Sequence, residues 1–97
     1  MSVVVNIVYT GKGDSARKYA EEMISTGIAQ RVRDEEGCLR YEFYYPAEDP
    51  NSVLLIDEFR DQKAIDFHHK TEMMKEIAEL RTKYGLHMKV KRFIPAS

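Results

Sequence analysis

Asp57, Phe59 and His68 are the side chains in this chain whose types and spacing could do chemistry. Asp57 continues a strand face that otherwise reads Val53, Leu55 and Phe59, which sets a carboxylate in line with apolar residues. If buried, it needs a hydrogen-bond partner or a raised pKa, and a carboxyl tuned in this way can exchange protons. His68 follows on the next helix, on the side of Ala64 and Phe67, and an imidazole titrates near neutrality. A carboxylate, an aromatic ring and an imidazole beside apolar walls describe a small-molecule pocket without naming a reaction. The plainer readings are a solvated carboxylate at a strand end and a packed histidine in the core. His69, about 100° further round the helix, falls off the apolar side. Adjacent helical histidines do not converge on a metal, and the i, i+4 spacing that would is missing.

The elements that must position these groups are a hairpin and the helix after it. Strands Cys38–Tyr45 and Ser52–Arg60 flank a turn containing Pro46, Asp49, Pro50 and Asn51, where both prolines block ladder hydrogen bonding. Strand alternation puts Leu39, Tyr41, Phe43 and Tyr45 on one face and Cys38, Arg40, Glu42 and Tyr44 on the other. Asp61 offers an N-cap oxygen to a helix running to about Tyr84, with a break near Lys70–Thr71 and Gly85 at its stop. Upstream, Val3–Thr10 is a strand apolar on both faces: Val3, Val5, Ile7 and Tyr9 against Val4, Asn6 and Val8.

Gly11–Gly13 then turns the chain, and Asp14 or Ser15 caps a helix over Ser15–Asp34 with Ala16, Ala20, Met23, Ile24, Gly27, Ile28 and Val32 as its buried stripe. Gly27 implies either a bend or a close backbone approach. The charged run Arg31–Glu36 reads as the solvated end of that helix, stopped at Gly37. A last strand spans Leu86–Ile94, with His87 among lysines and facing solvent.

The order β-α-β-β-α-β predicts a ferredoxin-like α+β domain over 1–97, with an antiparallel sheet and both helices on one face. The other face is too apolar to stay wet, so a two-fold homodimer burying it is expected. An RNA-recognition domain shares the strand order, but Ser52–Arg60 carries neither its aromatic signature nor its charge. The net charge of −1 makes no electrostatic case for nucleic acid or an anionic membrane. No apolar run approaches the roughly 20 residues that span a bilayer. The first residues read as a strand rather than a secretory signal, and the lone Cys38 favours a reducing, cytoplasmic setting. Gly11 and Gly13 have neither phosphate-loop spacing nor the dinucleotide fingerprint.

Two stretches resemble the antibiotic biosynthesis monooxygenase domains, which are small dimeric α+β barrels. One is the acidic-Gly-x-Leu-x-Tyr start of the second strand, Glu36-Gly37-Cys38-Leu39-Arg40-Tyr41. The other is the exit of the third strand into its helix, Asp57-Glu58-Phe59-Arg60-Asp61 followed by Ala64 and His68. Asp57 replaces the family's glutamate, and Met73 stands where a second histidine is often found. Asn6 matches a strand-one asparagine of some heme-degrading relatives, while Phe59 takes the place of their pocket tryptophan, which counts against heme.

The resemblance implies a cofactor-free oxygenase acting on a small aromatic or quinone-like substrate, without metal, heme or flavin. Deprotonating a hydroquinone yields an anion able to give an electron to dioxygen, so such a protein need only bind, deprotonate and exclude water. It implies His68 as the base and Asp57 as its orienting group or a ring-hydroxyl partner. Tyr41, Phe59 and Phe67 would wall the ring, and Asn6 would steady an oxygen substituent. The competing classes are a related isomerase or degrading enzyme for a small signalling molecule, and a non-enzymatic ligand-binding or stress-associated dimer in which His68 is structural.

Overall fold

β-Branched runs, left-handed glycines and one aspartate cap divide the chain into eight elements. The computed structural model describes residues 1–96. In order they are β1 (Val3–Thr10), α1 (Ser15–Ser25), α2 (Ile28–Arg33), β2 (Cys38–Tyr44), β3 (Ser52–Phe59), α3 (Gln62–His69), α4 (Met73–Lys83) and β4 (His87–Phe93). The strands form one antiparallel sheet in the order β2-β3-β1-β4. This is the predicted ferredoxin-like α+β architecture, with each expected helix divided in two.

The first division falls at Gly27, whose φ of 83° is left-handed. A Cβ built there would touch nothing, so the glycine serves the bend and not a close approach. Ile24 consequently leaves the buried stripe, which is carried by Ala16, Tyr19, Ala20 and Met23 on α1 and by Ile28, Ala29 and Val32 on α2. Asp14 occupies the N-cap position of α1 without a side-chain cap bond, and its carboxylate pairs instead with Lys18 at 3.6 Å. Asp61 is a working cap: its backbone is extended and Oδ1 accepts from the Ala64 N–H at 2.9 Å. The second division follows His69, where the Thr71 hydroxyl donates to the His68 carbonyl at 2.8 Å and satisfies a helix-end acceptor.

Strand β2 departs from simple alternation. A register shift between Cys38 and Arg40 makes Leu39 a bulge residue, more than half exposed. Cys38 therefore packs towards the core with Tyr41 and Phe43 rather than opposite to them. The core lies between the helices and the inner sheet face, centred on Tyr19, Met23, Val32, Val53, Leu55 and Phe59. The outer face presents Val4, Asn6, Val8, Leu54 and Ile56 half-buried, with Tyr44 and Phe93 exposed nearby. Every residue of β4 is exposed, because the helices do not reach across that edge of the sheet. None of the helices among the described residues is long and apolar enough to cross a membrane.

Candidate active site

The uncovered β4 edge leaves a cavity of about 350 Å³ between the inner sheet face and helices α3 and α4. Its floor follows from strand register. Tyr41, Asp57, Val5 and Arg92 are successive partners on β2, β3, β1 and β4, forming one row across the sheet. Leu55, Ile7 and Val90 lie in the next row, and Tyr9 with Met88 in the one beyond. Ile65, His68 and His69 of α3 and Met74, Ile77 and Arg81 of α4 form the roof. The lining is thus mostly apolar with a few polar groups, as small-molecule sites commonly are.

Asp57 is only 6% exposed, and its Oδ1 is buried with no hydrogen-bond partner among the described residues. Burial pushes its carboxyl from 3.8 up to about 7, so near neutrality it is divided between acid and carboxylate. Burial likewise raises the Tyr9 phenol, and that of Tyr41 to well above its ordinary value, keeping both as neutral hydroxyls. The cavity therefore holds proton-exchanging and hydrogen-bonding groups in apolar surroundings.

His68 forms the inner corner. Its Nδ1–H donates to Glu35 Oε2 at 2.7 Å, with both side chains buried. A carboxylate partner fixes the proton on Nδ1 and leaves Nε2 with the free lone pair of the ring. Phe59 lies tilted against the imidazole at 5.1 Å between ring centroids, and Tyr41 meets it edge-on at 6.4 Å. The carboxylate bonded to His68 is Glu35, while Asp57, expected either to orient the imidazole or to meet a ring hydroxyl, stands apart on the cavity floor. The charged run Arg31–Glu36 hid Glu35, yet Ile28, Val32 and Glu35 follow one helical face, so continuing the apolar stripe by three residues reaches it.

Gly37 lets the two groups meet. Its φ is 87°, and a Cβ there would stand 2.6 Å from the Ala64 Cβ. The chain can therefore turn out of α2 directly against α3, and the Gly37 carbonyl accepts from the Arg60 N–H at 2.7 Å. This closeness brings Glu35, two residues before the glycine, against His68, four residues after Ala64.

Asp57, His68, Tyr41 and Phe59 line this one cavity. Asn6 and Phe67 do not. Asn6 lies on the outer sheet face, since alternation along β1 sends it opposite to Val5 and Ile7. Phe67 is 59% exposed because Ala64, Ile65 and His68 take the inward side of α3. His69 departs from expectation in the other direction: though exposed, it stands at the cavity mouth, 5.6 Å from the His68 ring, where α3 ends. Among the described residues, no group of three or more His, Cys, Asp or Glu side chains is arranged to hold a metal ion.

The family model for antibiotic biosynthesis monooxygenase matches residues 2–80. This chain belongs to that family. A candidate antibiotic biosynthesis monooxygenase from Deinococcus radiodurans superposes with a TM-score of 0.84 at 17% identity, covering 98% of this chain and 93% of that one. SnoaB of Streptomyces nogalater, a cofactor-independent oxygenase, superposes with a TM-score of 0.81 at 14% identity, over 99% and 94% of the two chains. At these identities the likeness establishes the shared fold. An uncharacterised protein of Synechocystis is 36% identical over 56 residues, 58% of this chain. The chain spans only 38% of that curated relative's length.

Proposed function

We propose that this family member is a cofactor-independent monooxygenase of the quinol or polyphenol type, with His68 as its general base. The observation that carries the reading is the buried Glu35–His68 pair on the wall of an apolar cavity. Glu35 holds the imidazole in the tautomer that presents Nε2 and stabilises the imidazolium formed when that nitrogen takes a proton. A ring hydroxyl of the substrate donates its proton to Nε2. The ring anion then gives one electron to dioxygen, and the ring radical and superoxide combine into a carbon–oxygen bond. The imidazolium of His68 returns its proton to the peroxide anion, and loss of water, with the hydrogen of the oxygenated ring carbon and the outer peroxide oxygen, leaves one oxygen atom on the ring as a carbonyl. Asp57, in its acid form, donates a hydrogen bond to a second ring oxygen, while Phe59 and Tyr41 flank the ring. The apolar walls limit hydration of the anion, which favours electron transfer over return of the proton.

We propose also that two chains pair through their outer sheet faces, where Val4, Val8, Leu54 and Ile56 gather and Asn6 Oδ1 is buried with no partner among the described residues. Each subunit keeps a cavity of its own on the opposite side of the sheet. Oxygen-electrode measurements over a panel of quinols and polyphenols test the activity. At least one substrate should drive dioxygen uptake by the intact protein and not by His68→Ala. Uptake that is equal in both proteins, or absent with every compound, would contradict the reading.

A further inference from the structure

The seven arginines of the chain divide by the partners they have found. Arg31, Arg40 and Arg60 pair with carboxylates, and Arg17 and Arg33, neither of which lines the cavity, donate to backbone carbonyls. The two that line the cavity are different. Among the described residues, Arg81 Nη1 reaches only the Met88 sulfur, a weak acceptor, at 3.5 Å. Arg92 donates to the neutral amide oxygen of Gln62. Neither forms an ion pair among the described residues. Two guanidiniums thus line the β4 side of an apolar cavity with neutral acceptors in place of counter-ions.

Asp57 is the only acidic residue lining that cavity among the described residues, and it does not offset them. It shares a cross-sheet row with Arg92 but stands two strands away, with Val5 between them. That separation is roughly 10 Å between backbones, about the span of a two-ring molecule. We propose that the ligand of this site carries a group anionic at neutral pH, a carboxylate in the simplest case, held between Arg81 and Arg92. Its hydroxylated ring then reaches inward to Asp57 and His68. This rests on the catalytic reading for the inner end of the ligand and makes the substrate class a hydroxylated aromatic acid rather than a neutral quinol. The anion would displace the Gln62 amide from Arg92, replacing a neutral acceptor with a charged one in a fork suited to bidentate binding.

Calorimetric titration of the intact protein, kept under nitrogen, with 1,4-dihydroxy-2-naphthoate and with its methyl ester tests this directly. The two probes share rings and hydroxyls and differ in the carboxylate charge and one ester methyl. The acid should bind about 10-fold or more tightly than the ester. The advantage should shrink in Arg92→Gln and in Arg81→Gln, and vanish in the double variant. Ester binding serves as the internal check that each variant is folded. An acid that binds no tighter than the ester, including the case where neither binds, would overturn the proposal, as would an advantage that survives in the double variant. Because the readout is binding, a protein that prefers the acid yet consumes no oxygen would refute the monooxygenase reading and leave the ligand class standing.

Discussion

At the scale of single residues, the site combines a histidine whose tautomer is set from behind with a carboxyl held in an apolar row. Asp57 makes a prediction that needs no substrate. Its folded pKa is raised from 3.8 to about 7, so the folded protein binds its proton more tightly than the unfolded chain does. The associated stability is fully present below about pH 4 and is lost as pH rises through about 7. The loss amounts to about 4 kcal/mol at most, given the shift from 3.8 to about 7. Asp57→Asn should flatten that decline, so its denaturation midpoint should gain on the intact protein between pH 5 and pH 8 in urea titrations. An unchanged difference across that range would mean that the carboxyl is not perturbed. For Glu35, substitution by Gln should lower turnover by about 10-fold or more while the ring is still packed against Phe59, and the pH–rate profile should shift with it. The two carboxylates differed in legibility: Asp57 was visible as an odd member of an apolar face, whereas Glu35 was masked by charged neighbours.

At the scale of elements, the sequence carried most of the scaffold. Alternation in β1 and β3, the Asp61 cap and the glycine stops were readable because each reflects local backbone chemistry. What could not be read was geometry depending on contacts far along the chain. The Leu39 bulge moves Cys38 to the inner face, and the sequence has no local mark for the inserted residue. The placement of Phe67 and His69 depends on how α3 is rotated against the sheet, which its short apolar pattern does not determine. Gly37 offers the sharpest test at this scale. Gly37→Ala forces a side chain into a left-handed position and against Ala64, so it should destabilise the fold by about 1–3 kcal/mol. By pushing α3 away from the end of α2 it should also loosen the Glu35–His68 bond. Asp61→Ala should destabilise less, through loss of the cap alone. Thermal melts of the two variants should rank in that order, and equal midpoints would contradict the role given to Gly37.

At the scale of the whole molecule, one sheet separates two surfaces with different uses. The inner face carries the cavity, and the outer face carries the apolar patch through which two chains are proposed to pair. Such an interface would bury about 1,200 Å² or more in total. Ile56→Lys, placed in the middle of that patch, should shift light scattering from dimer mass to monomer mass. A monomeric intact protein at micromolar concentration would rule out the outer-face dimer. The catalytic role proposed for His68 is to take a proton from a bound hydroxylated ring. It can be tested without oxygen, by recording the ultraviolet–visible spectrum of bound 1,4-dihydroxy-2-naphthoate under nitrogen at neutral pH. The intact protein should convert the ligand to its ring-deprotonated form, seen as a red-shifted band absent from the free compound. His68→Ala should bind the same ligand and leave its ring hydroxyls protonated. The same red-shifted band in both proteins, or its absence in the intact protein at saturating ligand, would contradict His68 as the base.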